Sequence, residues 1–189
     1  MRLTMTSIKK YIPVLATLSL GLVVLISQVF LKSKEINASP GKVQNKLNLH
    51  YQNNLKDVFI EKNGKMTSLK ELDSKIIIVN FWASWCVPCL EEFPSLVTLK
   101  NKYKEKDIEI VGINTDDKRS IKDARKVLEK YKINFPIVFD EDSKLVSKFK
   151  VSAIPITIIF NQGKVLEISN GAKDFVSGEF LETVDSIIK

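Results

Sequence analysis

The sequence has very few residues of the kinds that crosslink a chain or hold a metal. Of its 189 residues only two are cysteine and only one is histidine. Both cysteines lie in the segment 85–89, Trp-Cys-Val-Pro-Cys. Structural zinc needs about three or four ligands, and no further cysteine supplies them, so neither a metal nor a bound cofactor is expected. With no other thiol in the chain, Cys86 and Cys89 can cycle between dithiol and disulfide or share a ligand with another molecule, which points to electron transfer.

A static disulfide is the alternative interpretation of this pair. A bond that closes so short a loop removes little chain entropy from the unfolded state, so it would stabilise the fold poorly. A redox-active pair is therefore favoured.

Acidic residues are missing from the first part of the chain. All 22 of them follow residue 34, whereas the stretch 11–31 carries no charge and is rich in Leu, Val and Ile. As a helix its 21 residues would be about 31 Å long, against a hydrocarbon core of roughly 30 Å. We predict a cytoplasmic tail over 1–10 and a single transmembrane anchor over 11–31, with the positive-inside bias placing the remainder outside.

A cleaved signal peptide is the rival interpretation of this N-terminal segment. Its apolar region would be shorter and would run directly into a small-residue cleavage site, whereas the charged residues 32–35 intervene here. The absence of an N-terminal cysteine predicts that the chain has no lipoprotein anchor. The same domain is exported whether the segment is an uncleaved anchor or a cleaved signal peptide. We predict a single-pass protein of the cell membrane with an extracytoplasmic catalytic domain.

The chain also lacks any long basic run. Beyond residue 34 it has 24 of the 29 Lys and Arg residues and all 22 acids, so this part has a net charge of 24 − 22 = +2. Interspersed charges of both signs give no reason to expect nucleic acid binding. The polar stretch 32–53 is predicted to be a flexible tether, with the single histidine, His50, exposed in it. One domain is predicted over 54–189.

Alternating periodicities within 54–189 predict an α/β fold with a mixed sheet. Asn63-Gly64 between two short apolar runs predicts a hairpin. The order that follows is strand, helix, strand, helix, a second hairpin and a final helix. The predicted segments are strands over 76–82 and 108–113, helices over 89–103 and about 121–131, a short strand or extended stretch over 135–139, hairpin strands over 156–160 and 164–168, and a last helix with its apolar face at 180–188.

Three motifs resemble the thioredoxin superfamily and, more closely, its membrane-anchored ResA/TlpA branch. They are Asn-Phe-Trp-Ala-Ser-Trp-Cys-Val-Pro-Cys at 80–89, Glu-Glu-Phe-Pro at 91–94 and Ile-Pro at 154–155. The resemblance runs from about residue 54 to the C-terminus and includes the added N-terminal hairpin. It implies a thioredoxin-like fold in which a mixed central sheet is flanked by helices.

The spacing of the two cysteines assigns them different roles. A thiolate is the attacking species, and a free cysteine titrates near ~8.5. Cys86, just before a helix, gains from the positive end of the helix dipole and is predicted to be the exposed nucleophile. Cys89, one turn later and less exposed, is predicted to resolve the mixed disulfide. Pro88 holds the turn in a conformation that suits helix initiation.

A proton-handling group is also needed. Cytoplasmic thioredoxins have a buried aspartate six residues before the first cysteine, but Asn80 stands there in this chain and an amide cannot do that work. Glu92, on the same helical face as Cys89, matches the Glu-Phe-Pro pattern of the ResA/TlpA branch. Apolar surroundings would raise its pKa and suit a proton shuttle. The alternative is a solvated residue paired with a lysine.

The resemblance also implies a substrate-binding edge. It implies a cis bond between Ile154 and Pro155 that faces the cysteine pair and offers backbone to the partner chain. Trp82 is predicted to pack in its strand, whereas Trp85 shields the sulfurs or touches the partner. The residues predicted to bind substrate are Trp85, Val87, Pro88, Ile154 and Pro155.

Direction of electron flow is inferred from the two residues between the cysteines. Strongly oxidising relatives place a histidine there, whereas Val87 and Pro88 supply no charge or polar donor, which favours a reductant. The resemblance implies that an integral-membrane thiol reductase donates the electrons and that apocytochrome c is a substrate before haem attachment. General or sporulation-related disulfide reduction remains an alternative, as does a thioredoxin-shaped chaperone or docking module. A peroxide-reducing enzyme is disfavoured because no Thr-x-x-Cys sequence occurs.

Overall fold

The computed structural model describes residues 20–28 and 40–189. Residues 20–28 are helical and exposed. Within these two ranges, no helix has both the length and the apolar character that crossing a membrane requires. The predicted tail (1–10), most of the predicted anchor (11–31) and residues 32–39 of the predicted tether lie outside the described residues.

Five helices and seven strands follow from residue 40 onward. The strands are β1 (Phe59–Lys62), β2 (Lys65–Ser68), β3 (Ile76–Trp82), β4 (Ile108–Asn114), β5 (Ile137–Phe139), β6 (Ile156–Asn161) and β7 (Lys164–Asn170). The helices are α1 (Pro40–Asn54), α2 (Val87–Lys102), α3 (Ile121–Lys130), α4 (Lys144–Phe149) and α5 (Gly178–Ile188), with short 3-10 turns at Leu55–Asp57 and Leu69–Glu71.

Helix α1 corrects the prediction of a flexible tether through residue 53. Its last turns are anchored by Tyr51, which is 5% exposed and stacks on Phe149 with ring centroids 6.1 Å apart. Leu47, one turn earlier, packs against the same apolar cluster. The polar composition was misleading because a helix needs only one apolar stripe to bind a core. The compact C-terminal unit, Leu47–Lys189, accordingly begins before the predicted domain boundary.

A five-stranded mixed sheet forms the centre of this unit, which confirms the predicted fold class. Its order is β5-β4-β3-β6-β7. Strands β3, β4 and β5 are parallel to one another. Strand β6 is antiparallel to β3, and β7 is antiparallel to β6. Every residue of β3 is buried, as its continuous apolar run predicted.

Residues of β3 alternate between two apolar clusters because successive side chains in a strand point to opposite faces. Ile76, Ile78 and Trp82 belong to the cluster that includes residues of α2, α3 and α5. Ile77, Val79 and Phe81 belong to the cluster that includes residues of α1 and α4. This alternation assigns Asn80 to the α2 side of the sheet.

Two hairpins have the turn chemistry that the sequence predicted. Between β1 and β2, Asn63 and Gly64 have φ of 54° and 75°, and between β6 and β7 Gln162 and Gly163 have φ of 48° and 75°. Two consecutive residues with positive φ match the twist of paired strands. The β1–β2 hairpin is the predicted N-terminal addition to the fold.

Helix α4 was not predicted. Asp140 begins the segment, and its carboxylate accepts hydrogen bonds from the backbone N–H groups of Leu145 and Val146 at 3.0 and 2.8 Å. These contacts satisfy donors that the first turn of a helix leaves free. Leu145 and Phe149 are buried by the helix. Six residues are too few to show a helical period in the sequence, so only the capping acid marks the start.

Candidate active site

Cys86 and Cys89 lie where β3 gives way to α2. The strand ends at Trp82, a short loop follows, and Cys86 is the residue that caps the helix. Its backbone N–H donates to the carbonyl of Ala83 at 3.2 Å, and its own carbonyl accepts from Cys89 N–H at 3.0 Å. The two sulfurs are joined in a disulfide. Pro88 stands in the first turn of α2, where its missing N–H costs no hydrogen bond.

The exposure of the two cysteines follows the predicted order but not the predicted degree. Cys86 is 4% exposed and Cys89 is 0% exposed. The expectation of a freely exposed Cys86 is therefore wrong for the oxidised protein, because Cys86 belongs to the same apolar cluster as Trp82 and Ala83. Of the two cysteines, only Cys86 keeps any solvent-exposed surface.

The two residues next to Cys86 in the chain have large, exposed apolar side chains. Trp85 is 70% exposed and Val87 is 65% exposed, on either side of Cys86 in the chain. Trp82, by contrast, is fully buried and meets the ring of Phe93 edge to face at 5.0 Å, as predicted for the strand tryptophan. The predicted role of Trp85 and Val87 in binding a partner protein stays a prediction.

Glu92 is a buried acid on the helix that begins with the cysteine pair. It follows Cys89 by three residues on α2 and is 1% exposed, so the solvated alternative is wrong. Its Oε2 accepts from Asn80 Nδ2 at 3.0 Å, and its Oε1 accepts from the backbone N–H of Lys173 at 2.9 Å. Burial raises the pKa of Glu92 from 4.5 to about 7, and these two hydrogen bonds and the Lys173 charge only partly oppose that rise.

Asn80 and Thr157 complete the polar surroundings of Glu92, and sequence reasoning missed these contacts. Asn80 is fully buried, and its Nδ2 also donates to Thr157 Oγ1 at 2.8 Å. The two residues are direct partners in the pairing of β3 with β6. A polar pair at matched positions of two apolar strands was the available signal. No sequence signal pointed to Lys173, because it contacts Glu92 through its backbone N–H and not through its side chain.

A second buried carboxylate fixes the loop that leads to Cys86. Asp116 is 2% exposed and accepts from Ser84 N–H at 2.8 Å, from the Ser84 hydroxyl at 3.1 Å and from Asn114 Nδ2 at 2.7 Å. Because the carboxyl ends of parallel β3 and β4 meet at one edge, Asp116 was a residue that topology could have placed there. It holds the backbone just before the reactive cysteine.

The Ile154-Pro155 peptide bond is cis. It lies just before β6, and because β6 is antiparallel to β3 with Ile156 opposite Phe81, this bond sits at the edge of the sheet where the cysteine loop begins. The carbonyl of Pro155 accepts from Gly171 N–H at 2.9 Å. Ile154 is partly exposed and Pro155 is buried. The substrate-binding role of these two residues stays a prediction.

Comparison with known protein families identifies the family of this chain. The model of the AhpC/TSA family matches residues 51–168, which is more than half of the sequence. The chain belongs to the AhpC/TSA family. The match includes both cysteines, Glu92 and the cis bond, whereas Lys173 lies beyond its end.

Relatives within this family confirm the resemblance to the ResA/TlpA branch. The chain is 33% identical over 115 residues to a thiol-disulfide oxidoreductase ResA from Bacillus subtilis, covering 60% of this chain and 63% of the relative. It is 28% identical over 123 residues to a ResA from Halalkalibacterium halodurans, covering 64% and 69%. The match to the Bacillus subtilis protein thus spans less than two thirds of that relative.

Solved structures give the same fold. A putative thiol:disulfide interchange protein DsbE from Chlorobium tepidum matches with a TM-score of 0.59 and 25% identity, covering 70% of this chain and 93% of that chain. StoA from Bacillus subtilis matches with a TM-score of 0.53 and 22% identity, covering 65% and 90%. The second likeness shows the fold alone.

Proposed function

We propose that this protein is a thiol-disulfide oxidoreductase that works as a reductant of disulfides in other proteins. The observation that carries the proposal is the pairing of two cysteines at the start of α2 with a buried carboxyl group, Glu92, one turn behind Cys89. A structural disulfide would have no use for a buried acid that costs stability when ionised. The names of the ResA relatives support the same reaction.

The reaction begins from the reduced dithiol. The Cys86 thiolate attacks one sulfur of the substrate disulfide, forming a mixed disulfide and expelling the other substrate sulfur as a thiolate. Cys89 then gives up its proton and attacks the Cys86 sulfur. This second step breaks the mixed disulfide, releases the remaining substrate sulfur as a thiolate, and leaves the Cys86–Cys89 disulfide. Two electrons pass to the substrate, and another dithiol must return them.

Glu92 is the group that takes the proton from Cys89. A base works best when its pKa lies near the working pH, and burial raises the pKa of Glu92 to about 7. The carboxylate accepts the proton as Cys89 becomes a nucleophile, and the carboxylic acid later protonates a leaving thiolate. Asp116 assists only by fixing Ser84 in the loop.

The substrates we propose are disulfides of exported proteins, with apocytochrome c before haem attachment as the specific case. Exposed Trp85 and Val87 would contact an extended partner segment together with Pro88, Ile154 and Pro155. The N-terminal anchor over 11–31 would hold the catalytic domain on the outer side of the cell membrane, and an integral-membrane thiol reductase would supply electrons. These points rest on the sequence patterns and on the resemblance.

Trapping with a Cys89→Ala variant tests both the reaction and the substrate. Cys86 can still attack, but without Cys89 the mixed disulfide persists, so mass spectrometry of the membrane fraction should identify the partner joined to Cys86. Apocytochrome c among the adducts supports the specific substrate, whereas unrelated exported proteins alone indicate a general reductase. The matched control is the double variant with alanine at both positions, and adducts that persist in it would contradict the mechanism.

Reduction of insulin disulfides separates the enzyme from a chaperone or docking module. Wild-type protein with dithiothreitol should speed insulin precipitation, and Cys86→Ala should abolish the effect. Equal activity of the two proteins would refute the reaction. Peroxide consumption should be absent, because Ala83 stands three residues before Cys86 where a peroxide-reducing enzyme of this kind has threonine.

A further inference from the structure

The side chain of Asn80, which donates a hydrogen bond to Glu92, has one polar atom without a hydrogen-bond partner among the described residues. The side chain is fully buried, and its Oδ1 has no hydrogen-bond partner among the described residues. Its Nδ2 meanwhile serves two acceptors, Glu92 Oε2 at 3.0 Å and Thr157 Oγ1 at 2.8 Å. A buried carbonyl oxygen without a donor is costly, so this arrangement calls for a physical reason.

The arrangement suits only one protonation state of Glu92. An ionised carboxylate accepts hydrogen bonds and donates none, so it needs the N–H side of the Asn80 amide. A carboxylic acid with its proton on Oε2 has an O–H that needs an acceptor, and Nδ2 would then oppose it donor to donor. Rotation of the amide by half a turn brings Oδ1 to the same place, where it can accept that proton.

Thr157 can follow this rotation. A hydroxyl group both donates and accepts. Its oxygen accepts from Nδ2 when Glu92 is ionised, and its O–H can donate to Oδ1 when the amide has turned. Either orientation leaves one amide atom unpaired, Oδ1 in the first and Nδ2 in the second. The site therefore has two arrangements with the same number of hydrogen bonds, and neither protonation state is left without a partner.

Among the residues that the structure describes, the groups closest to the Glu92 carboxyl come from α2, β3, β6 and the segment after β7. Cys89 lies one turn earlier on the same helix, and β3 and β6 contribute Asn80 and Thr157. The segment after β7 contributes the backbone N–H of Lys173. The Lys173 ammonium group forms an ion pair with Glu167 and lies 4.9 Å from the centre of the Phe180 ring. Its fixed N–H donates to Oε1 in both states, so the proton is expected on Oε2, beside Asn80.

We propose that Asn80 is a positioning residue whose side-chain amide turns over each time Glu92 gains or loses its proton, with the Thr157 hydroxyl reversing in step. This inference rests on the proposed function, in which Glu92 takes the Cys89 proton. Asparagine at this position serves the reaction because its two ends can pair with the acid and with its conjugate base. It moves no proton itself and touches no substrate.

NMR of the oxidised wild-type protein tests the turnover directly. The carbon signal of the Glu92 carboxyl group and the side-chain NH₂ signals of Asn80 should titrate with one midpoint. Both Asn80 NH₂ protons should move upfield at low pH, because the turned amide leaves Nδ2 without an acceptor, whereas a fixed amide would keep its bond to Thr157 Oγ1. In Glu92→Gln the amide nitrogen of the introduced side chain replaces the acidic O–H, so the Asn80 signals should stay at their low-pH position at every pH. Asn134, whose Nδ2 donates to the amide oxygen of Asn101 at 2.7 Å, is the matched control and should not titrate.

A variant of Asn80 gives an independent measurement. Asn80→Leu removes the hydrogen-bond partner of both forms of Glu92, so the Glu92 midpoint should change by well under one pH unit, whereas a fixed amide, which stabilises the carboxylate alone, predicts a rise of about one unit or more. Asn80 signals that do not change across the Glu92 titration would overturn the proposal, as would a rise of about one unit or more in folded Asn80→Leu. Should that variant fail to fold, the wild-type and Glu92→Gln spectra decide the question alone.

Insulin reduction measured on the same samples distinguishes a failure of the Asn80 turnover from a failure of the proposed reductase function. If the wild type reduces insulin but Asn80 does not titrate with Glu92, the turnover is wrong and the proposed function stands. If Asn80 titrates with Glu92 but no reduction occurs, the amide behaves as inferred and the proposed function fails.

Discussion

Replacing Glu92 with glutamine should stabilise the oxidised protein, and only at neutral and alkaline pH. Burial raises the pKa of Glu92 from 4.5 to about 7 in the folded protein. The folded state therefore holds this proton more tightly than the unfolded chain does. The resulting stabilisation is complete below about pH 4.5 and is lost as the pH rises through 7. Glutamine at this position is neutral at every pH and escapes that loss.

The size of the effect follows from the pKa difference. A shift of about 2.5 units between 4.5 and about 7 corresponds to about 3 kcal/mol, at about 1.4 kcal/mol per unit. The side chain is 1% exposed, so solvent screening reduces this figure little. Glutamine also retains the acceptor for Lys173 N–H, so the difference is dominated by the charge. The variant should match the wild type near pH 4.5 and exceed it by about 3 kcal/mol at pH 8.

Urea unfolding of both oxidised proteins at a series of pH values measures this difference. The gap in free energy of unfolding should open between pH 4.5 and pH 7 and then level off. Keeping the disulfide closed removes the cysteines from the titration. A gap of constant size across this range, or a variant that is less stable at pH 8, would refute the burial of an ionisable Glu92.

Three further substitutions test the packing around the site by the same unfolding measurement. Phe93→Ala should cost about 3–5 kcal/mol because the ring is fully buried against Trp82, and a loss under 1 kcal/mol would contradict that packing. Tyr51→Ala should cost about 3 kcal/mol, whereas a flexible tether would lose nothing. Gly112→Ala should cost about 1–3 kcal/mol, because the added Cβ would lie 2.6 Å from Ile137 Cδ1 and 3.1 Å from Trp82 Nε1; unchanged stability would show that both neighbours move freely.

Local patterns predicted most of the sheet. The continuous apolar run of β3 gave both its ends, and Asn63-Gly64 gave the first hairpin, because each signal depends on residues adjacent in the chain. The position of Cys86 before α2 and the side of α2 that Glu92 occupies follow from helical geometry alone. Mixed strand pairing came from the order of elements, since hairpins make antiparallel neighbours and helical crossovers make parallel ones.

What the sequence did not predict depends on contacts between distant segments. Tyr51 stacks on Phe149, which follows it by about two thirds of the length of the domain, so nothing near residue 51 shows that α1 binds the core. The 4% exposure of Cys86 results from apolar neighbours contributed by several elements. Asn80 was judged only by the chemistry it cannot perform, and its contact with Glu92 requires β3 and α2 to be packed together.

Alkylation of the reduced protein, read by mass spectrometry, tests the different roles of the two cysteines. Brief treatment with iodoacetamide at neutral pH should label Cys86 alone, because Cys86 caps the start of α2 and keeps some exposed surface even in the oxidised protein, where Cys89 has none. Denatured protein, in which both cysteines should react, is the control. Preferential labelling of Cys89, or equal labelling of both in the folded protein, would contradict a mechanism in which Cys86 attacks the substrate and Cys89 resolves the adduct.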